Sequence, residues 1–329
     1  MKPRLTQRTR AGLTSALGLL LLSALWAVAS LLNDLIPHFG ADSLAPVQRQ
    51  AALFFVFAAV AAFIAVAHRV EFPRGRRAWA NAGIGFGLFV IPSTLVACAR
   101  GWVSNLDQIV VFSLTPVIAV VLEPYLQGSA PRQGKGALTC TLAAVAGILL
   151  IFPIDIPSTL HAGAALCALV AAAFSIAVTN CFAVRLARNQ AGRSTLPMAA
   201  QAGTASALCF ATVAAFTPHA PRNWGALPAQ LFEPMLTGLP TLFLLFWLMR
   251  RLGTSRMAAR FLIAPLFAIV AGMALEAIFP PMRAWFGIAL LAGGAGWLLF
   301  APAEEPDVKR IASLHVHTSD VPRQPQTGT

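Results

Sequence analysis

Charge is scarce in this sequence of 329 residues: 11% are Asp, Glu, Lys or Arg, and only 12 are acidic. With 57% hydrophobic residues and a mean hydropathy of +0.72, the composition falls outside that of soluble globular domains and indicates an integral membrane protein. Catalytic signatures are missing as well. There is no G-x-S-x-G, no H-E-x-x-H, no P-loop and no intramembrane pair of aspartates or histidines placed for hydrolysis, so an enzyme is not expected. Transport driven by ATP would need a partner chain. No run carries a charged or carbonyl-rich filter, which argues against a channel. The five cysteines, Cys98, Cys140, Cys167, Cys181 and Cys209, lie singly in apolar runs without a CxxC pair. They read as small core residues, and neither a disulfide framework, a metal nor a cofactor is expected.

Long apolar runs are what the chain has in abundance. Runs near 11–32, 50–67, 79–98, 107–122, 136–153, 161–182, 199–217, 229–249, 257–276 and 284–301 are each close to bilayer length, giving ten expected spans. The first follows the basic "MKPRLTQRTR" and ends near "AVAS", as a secretory signal does. At roughly 22 residues it exceeds the usual signal core and reads as a retained span.

The net charge of +12 would suggest nucleic acid in a soluble chain. Here the basic residues fall in the short segments between runs. Alternate segments, around 2–10, 69–77, 132–135, 185–193, 250–260 and 309–323, hold 20 of the 24 lysines and arginines, leaving Arg49, Arg100, Arg222 and Arg283 on the other side. That bias predicts both termini in the cytoplasm and no nucleic-acid partner. Trp79, Trp102, Trp224 and Trp285 at or beside span ends fit an interfacial belt. Residues 302–329 read as a disordered cytoplasmic tail, in which His315 and His317 are a weak metal signal.

An internal repeat follows from superposing "FSLTPVIAVV" (112–121) on "FLIAPLFAIV" (261–270). Phe112 meets Phe261, Pro116 meets Pro265 and Ala119 meets Ala268, all at an offset of 149. The same offset carries the first span onto the sixth, and "ALWAVA" onto "AAFSIA". Two five-span units, 11–153 and 160–301, follow the basic N-terminus 1–10. Because five is odd, the second unit enters the membrane from the opposite side, so the expected fold is ten transmembrane helices in two inverted five-helix repeats.

With these features the chain resembles the ten-span EamA-type members of the drug/metabolite transporter superfamily. The carriers are Trp26 in "LWAVAS", the segments "SLTPVIAVVLE" and "IAPLFAIVAGMALE", the glycine-led "GKGALTCTLAAVAGILLIF" and "FGIALLAGGAGWLLF", and the basic turn "MRRLGTSRMAA". Glu276 occupies the family's acidic position at the end of the ninth span. In the first half Gln127 stands at the matching offset, with Glu123 four residues earlier. The resemblance implies a carrier, commonly an exporter, of amino acids, metabolites or small amphiphilic compounds in the bacterial cytoplasmic (inner) membrane. Protons are a candidate coupling ion and a homodimer a candidate assembly. A non-transporting membrane sensor or assembly protein with a carrier-like fold is the alternative.

Ionisable groups inside spans are costly and functional by default, and this chain has few. Arg100, Asp107 and Glu276 lie near the expected outer face, either as a gate and coupling group or as ordinary helix-end charges. With no buried arginine or carboxylate expected, the cavity is expected to be mostly uncharged. Its polar supply is Ser93 and Thr94 after Pro92, Gln108, Ser113 and Thr115 before Pro116, Ser175, Thr179 and Asn180 on the sixth span, and Thr241 after Pro240. Pro116, Pro240 and Pro265 each free a carbonyl one turn back, and Trp26 offers an aromatic wall. The competing reading of each hydroxyl is a bond to its own i−4 carbonyl. Gly83, Gly85 and Gly87 suggest close helix packing.

Overall fold

The computed structural model describes residues 3–35, 46–127, 135–152, 159–189, 194–216, 231–232, 234–276 and 281–300, with side chains from 12–29, 46–126, 136–152, 159–189, 194–216, 231–232, 234–273 and 281–300. His315, His317 and the side chain of Glu276 lie outside these. Among the described residues the chain is helical throughout, with one isolated bridge between Arg100 and Val103. Runs rich in Ala, Leu, Val and Phe favour helix locally, and in lipid only a helix satisfies every backbone donor and acceptor within one segment.

The helices are α1 (Pro3–Leu35), α2 (Pro46–Ala67), α3 (Arg76–Gly85), a π turn (Phe86–Val90), α4 (Ile91–Ala99), α5 (Asn105–Phe112), α6 (Thr115–Gln127), α7 (Lys135–Ile151), α8 (Leu160–Asn189) and α9 (Leu196–Phe216). A second π turn (Pro234–Gly238), α10 (Leu239–Arg251), α11 (Thr254–Ala258), α12 (Arg260–Glu276) and α13 (Met282–Phe300) follow. Among the described residues, eight helices are long and apolar enough to cross a membrane. Three are composite: Arg76–Ala99, Asn105–Leu126 and Thr254–Met273. The chain therefore has an all-α, membrane-type architecture.

Two helix pairs pack most extensively, α2 with α9 and α7 with α13. Glycine sets the second contact. A Cβ on Gly147 would sit 2.5 Å from the Gly287 carbonyl oxygen, and a Cβ on Gly287 would sit 2.5 Å from that of Gly147. Gly294 in turn lies against Cys140, so seven residues up one helix correspond to seven down the other and the pair is antiparallel. Bare glycine lets the backbones touch, and in lipid such packing supplies much of the association energy. Gly85 meets the Ala202 backbone of α9 and Gly87 meets Thr179 of α8, whereas Gly83 faces open space. Two of the three glycines in that row are therefore packing residues.

The main core joins residues of most helices, with Phe210, Phe54, Phe89, Phe246, Phe57 and Phe243 forming a run of ring contacts between α9, α2, the first π turn and α10. A smaller cluster of Ala119, Ala177 and Ala258 lets α6, α8 and α11 approach closely. Gly101, at φ +88°, closes the tight turn between α4 and α5, a conformation that favours glycine.

Candidate functional site

The composite helices meet at two phenylalanines. Proline has no N–H to donate, so Pro116 and Pro265 deprive the Phe112 and Phe261 carbonyls of their i+4 donor. The rings of these same two residues stack, with centroids 6.3 Å apart and planes at 23°. Trp26 of α1 packs edge-on against Phe261 at 5.1 Å, so α1, α5 and α12 contribute one aromatic wall. Pro116 and Pro265 are both buried.

The two breaks differ in position. The first falls at Ser113 and Leu114, just before Pro116, where the Ser113 N–H is shared between the Ile109 and Val110 carbonyls at 3.0 and 3.2 Å. The second falls at Ala259, six residues before Pro265, where one N–H is shared between the Ser255 and Arg256 carbonyls at 3.1 Å each. Pro265 itself lies within continuous helix. Ser113 is buried and its Oγ donates to the Val110 carbonyl at 2.6 Å, whereas the buried Thr115 Oγ1 has no hydrogen-bond partner.

A second pair of irregularities involves the other two prolines. The π turn Phe86–Val90 is followed by Ile91 and Pro92, and the π turn Pro234–Gly238 by Leu239 and Pro240. The spacing between them is 148 residues, close to that of the Pro116 and Pro265 pair. In the first turn the Ile91 N–H donates to the Phe86 carbonyl, so the donor due to the Gly87 carbonyl is the missing N–H of Pro92. Ser175 of α8 supplies it instead, its Oγ donating to Gly87 O at 2.8 Å.

The remaining residues expected on the path are dispersed. Ser93 and Gln108 are half-buried; Thr94 is exposed and donates to its own i−4 carbonyl, Val90 O, at 2.8 Å. Thr241 likewise donates to Thr237 O at 2.6 Å. Pro240 is exposed and lines a cleft of about 990 Å³ between α1, α9 and α10, with Phe243, Trp247 and Arg251. Arg251 lies 4.1 Å above the Trp247 ring. A cleft of about 390 Å³ between α3 and α8 is lined by Gly83, Thr179 and Arg185. Both clefts lie toward the end of the bundle where Arg76, Arg77, Arg188 and Arg250 gather.

At the opposite end Asp107 is the third residue of α5 and is buried. Its carboxylate accepts from Ser104 Oγ at 2.7 Å and from Ser104 N–H at 3.3 Å, while its own N–H donates to Ser104 Oγ at 3.1 Å. That reciprocal capping box occupies the group. Arg100 is exposed, and the described residues contain no ion pair between the two. Trp102 instead ties this turn to α8 by stacking on His161 at 4.8 Å.

One residue contradicts the expectation of a cavity without buried arginine. Arg260, grouped by sequence with the arginines of a surface segment, is 5% exposed. Its Nη1 has no hydrogen-bond partner, and its guanidinium sits 4.8 Å over the Phe261 ring. The signal lay in spacing. Arg260 stands six residues into the helix Thr254–Met273, about 9 Å along its axis, too deep for a loop charge.

No family model and no curated protein matches this sequence. A solved structure described as "Crystal structure of protein" is similar in fold, with a TM-score of 0.69 and 19% identity over 92% of this chain and 99% of that one.

Proposed function

We propose that this chain is a secondary carrier, an exporter of small amino-acid-like, metabolite or amphiphilic compounds, of the EamA type within the drug/metabolite transporter superfamily. It works by alternating access between two inverted five-helix halves. The observation that carries this reading is the pairing of helix breaks. Phe112 and Phe261, 149 residues apart, stack on each other, and the two π turns with their following prolines recur at 148. A residue in contact with its own repeat equivalent lies on the pseudo-two-fold axis. The antiparallel packing of α7 against α13, two helices that the offset of 149 lays over each other, supports the same axis.

Ten spans follow when α7, a shorter apolar helix, and the π turn with α10 join the eight longer ones. The arginine bias supports both termini on the cytoplasmic side, in our reading of a bacterial inner membrane, and on that reading both clefts face the cytoplasm. Broken helices around a central crossing are how carriers expose backbone groups to a substrate while keeping them out of lipid.

The test is transport by purified protein in sealed liposomes, over amino acids, nucleosides and cationic dyes. Saturable movement above the protein-free blank is expected. Reporter fusions check the topology independently, and an external segment at 69–75 would overturn it.

A further inference from the structure

The residues of α10 divide into two faces. Leu242, Leu245 and Met249 turn into the core, whereas Pro240, Phe243, Leu244, Trp247 and Arg251 form the opposite stripe at helical spacing. That stripe is the floor of the cleft of about 990 Å³, with Leu21 and Leu25 of α1 on one side and Thr195 and Ala199 of α9 on the other. The cleft therefore opens on the lipid-facing side of α10, away from the core.

Length and charge both narrow what can occupy it. From Pro240 to Arg250, α10 advances about 15 Å along its axis, half of a hydrocarbon core of about 30 Å, so the groove runs the depth of one leaflet. Its deep part is apolar, lined by Leu21, Leu25, Phe243 and Leu244. Its two charges, Arg250 and Arg251, sit together at the mouth, where the Ser194 and Thr195 hydroxyls begin α9; among the described residues no acidic side chain lines it. Gly18 shapes the α1 side. A Cβ there would lie 2.9 Å from the Trp247 ring, so bare glycine lets that ring rest against α1. Arg251 lies 4.1 Å above the same ring, which holds its guanidinium at the mouth.

We infer that the groove is a site for an anionic phospholipid of the leaflet on the arginine side, with its headgroup phosphate on Arg250 and Arg251 and one acyl chain along the floor of α10. Arginine meets a phosphate through paired N–H bonds, and basic pockets between membrane helices take acidic headgroups. The Ser194 and Thr195 hydroxyls supply further donors at the same level, and the apolar depth below them matches a chain that ends at the bilayer midplane. A zwitterionic lipid fills the same groove, but its ammonium offsets the phosphate beside two arginines. A lipid seated here touches α1, α9 and α10 at once and so braces α1 against helices far from it in sequence. Such a site depends on the membrane architecture alone and stands whether or not the chain transports.

The test uses purified full-length protein, stripped of lipid in detergent and titrated with phosphatidylglycerol or with phosphatidylcholine of the same acyl chains, with bound lipid counted by native mass spectrometry and Tm followed by thermal shift. Glycerol 3-phosphate and inorganic phosphate are the soluble arms. Phosphatidylglycerol should bind about tenfold more tightly than phosphatidylcholine and raise Tm, and neither soluble phosphate should do so at the same concentration. Arg250→Gln with Arg251→Gln should weaken phosphatidylglycerol about tenfold or more, whereas Arg76→Gln with Arg77→Gln, at the same end of the bundle but outside the groove, should leave it unchanged. Leu21→Trp, at an exposed position on the groove wall, should weaken both lipids several-fold and serves if the arginine pair does not fold. Equal affinity for the two lipids, an equal loss in the two arginine pairs, a soluble phosphate as effective as the lipid, or full binding in Leu21→Trp would each overturn the site.

Discussion

Phe112 and Phe261 stack at 6.3 Å, and each stands four residues before a proline that takes away the donor to its carbonyl. Aromatic packing of this kind stabilises by about 0.5–1.5 kcal/mol beyond area burial. The crossing is therefore cohesive through its rings and weak through its backbone. That combination suits a pivot: side chains hold the two helices together while their hydrogen-bond ladders are interrupted on either side.

Replacing Pro116 or Pro265 with alanine should restore the missing donor. The folded state should be unchanged or stabilised, by no more than about 3 kcal/mol, and transport should fall several-fold in each variant. Thermal denaturation and flux on the same preparations check both halves. Undiminished flux in both variants would reduce the breaks to packing.

Ser175→Ala should behave as a structural change. It leaves the Gly87 carbonyl at the π turn without its 2.8 Å donor, at a cost of about 0.6–1.7 kcal/mol for an interhelical bond in lipid. A lower Tm with an unchanged substrate KM is the expected pattern. A raised KM at unchanged Tm would return Ser175 to the substrate path.

The glycines separate packing from open surface. Gly147→Ala and Gly287→Ala each push a methyl into the opposing backbone and should destabilise by about 1–3 kcal/mol, as overpacking does. Gly83→Ala meets nothing within 4 Å and should leave stability the same or slightly higher. Thermal shift on the three variants gives the comparison.

Asp107 is a cap in this structure, so Asp107→Asn should transport with an unchanged pH profile. Ser104→Ala should cost about 0.5–2 kcal/mol by removing the hydroxyl that caps α5. A pH profile displaced by Asp107→Asn would restore the carboxylate as a coupling group.

The apolar runs located the helices because bilayer length is written directly in composition. The offset of 149 pairs Phe112 with Phe261 in the sequence, and the two rings meet in the structure. Sequence missed the matched π turns: "FVIPST" and "TGLPTL" share only their proline, and a π turn depends on neighbours such as Ser175 and Thr179. Arg260 was missed because its charge was counted as topology. Its depth, six residues into the helix Thr254–Met273, was the sign that it does not belong to a loop. The second break falls at Ala259 rather than at Pro265 for a related reason. Where a helix gives way is set by packing around Ala258 and Ala259 as much as by the missing N–H.

The most direct test of the central claim is flux of radiolabelled substrates into sealed liposomes containing the purified chain, with the Pro116→Ala, Pro265→Ala double variant alongside. The expected result is saturable, time-dependent accumulation above protein-free vesicles, largely lost in the folded double variant. Accumulation no greater than the blank across amino acids, aromatic carboxylates, nucleosides and cationic dyes would contradict it and favour a non-transporting membrane protein with a carrier-like fold.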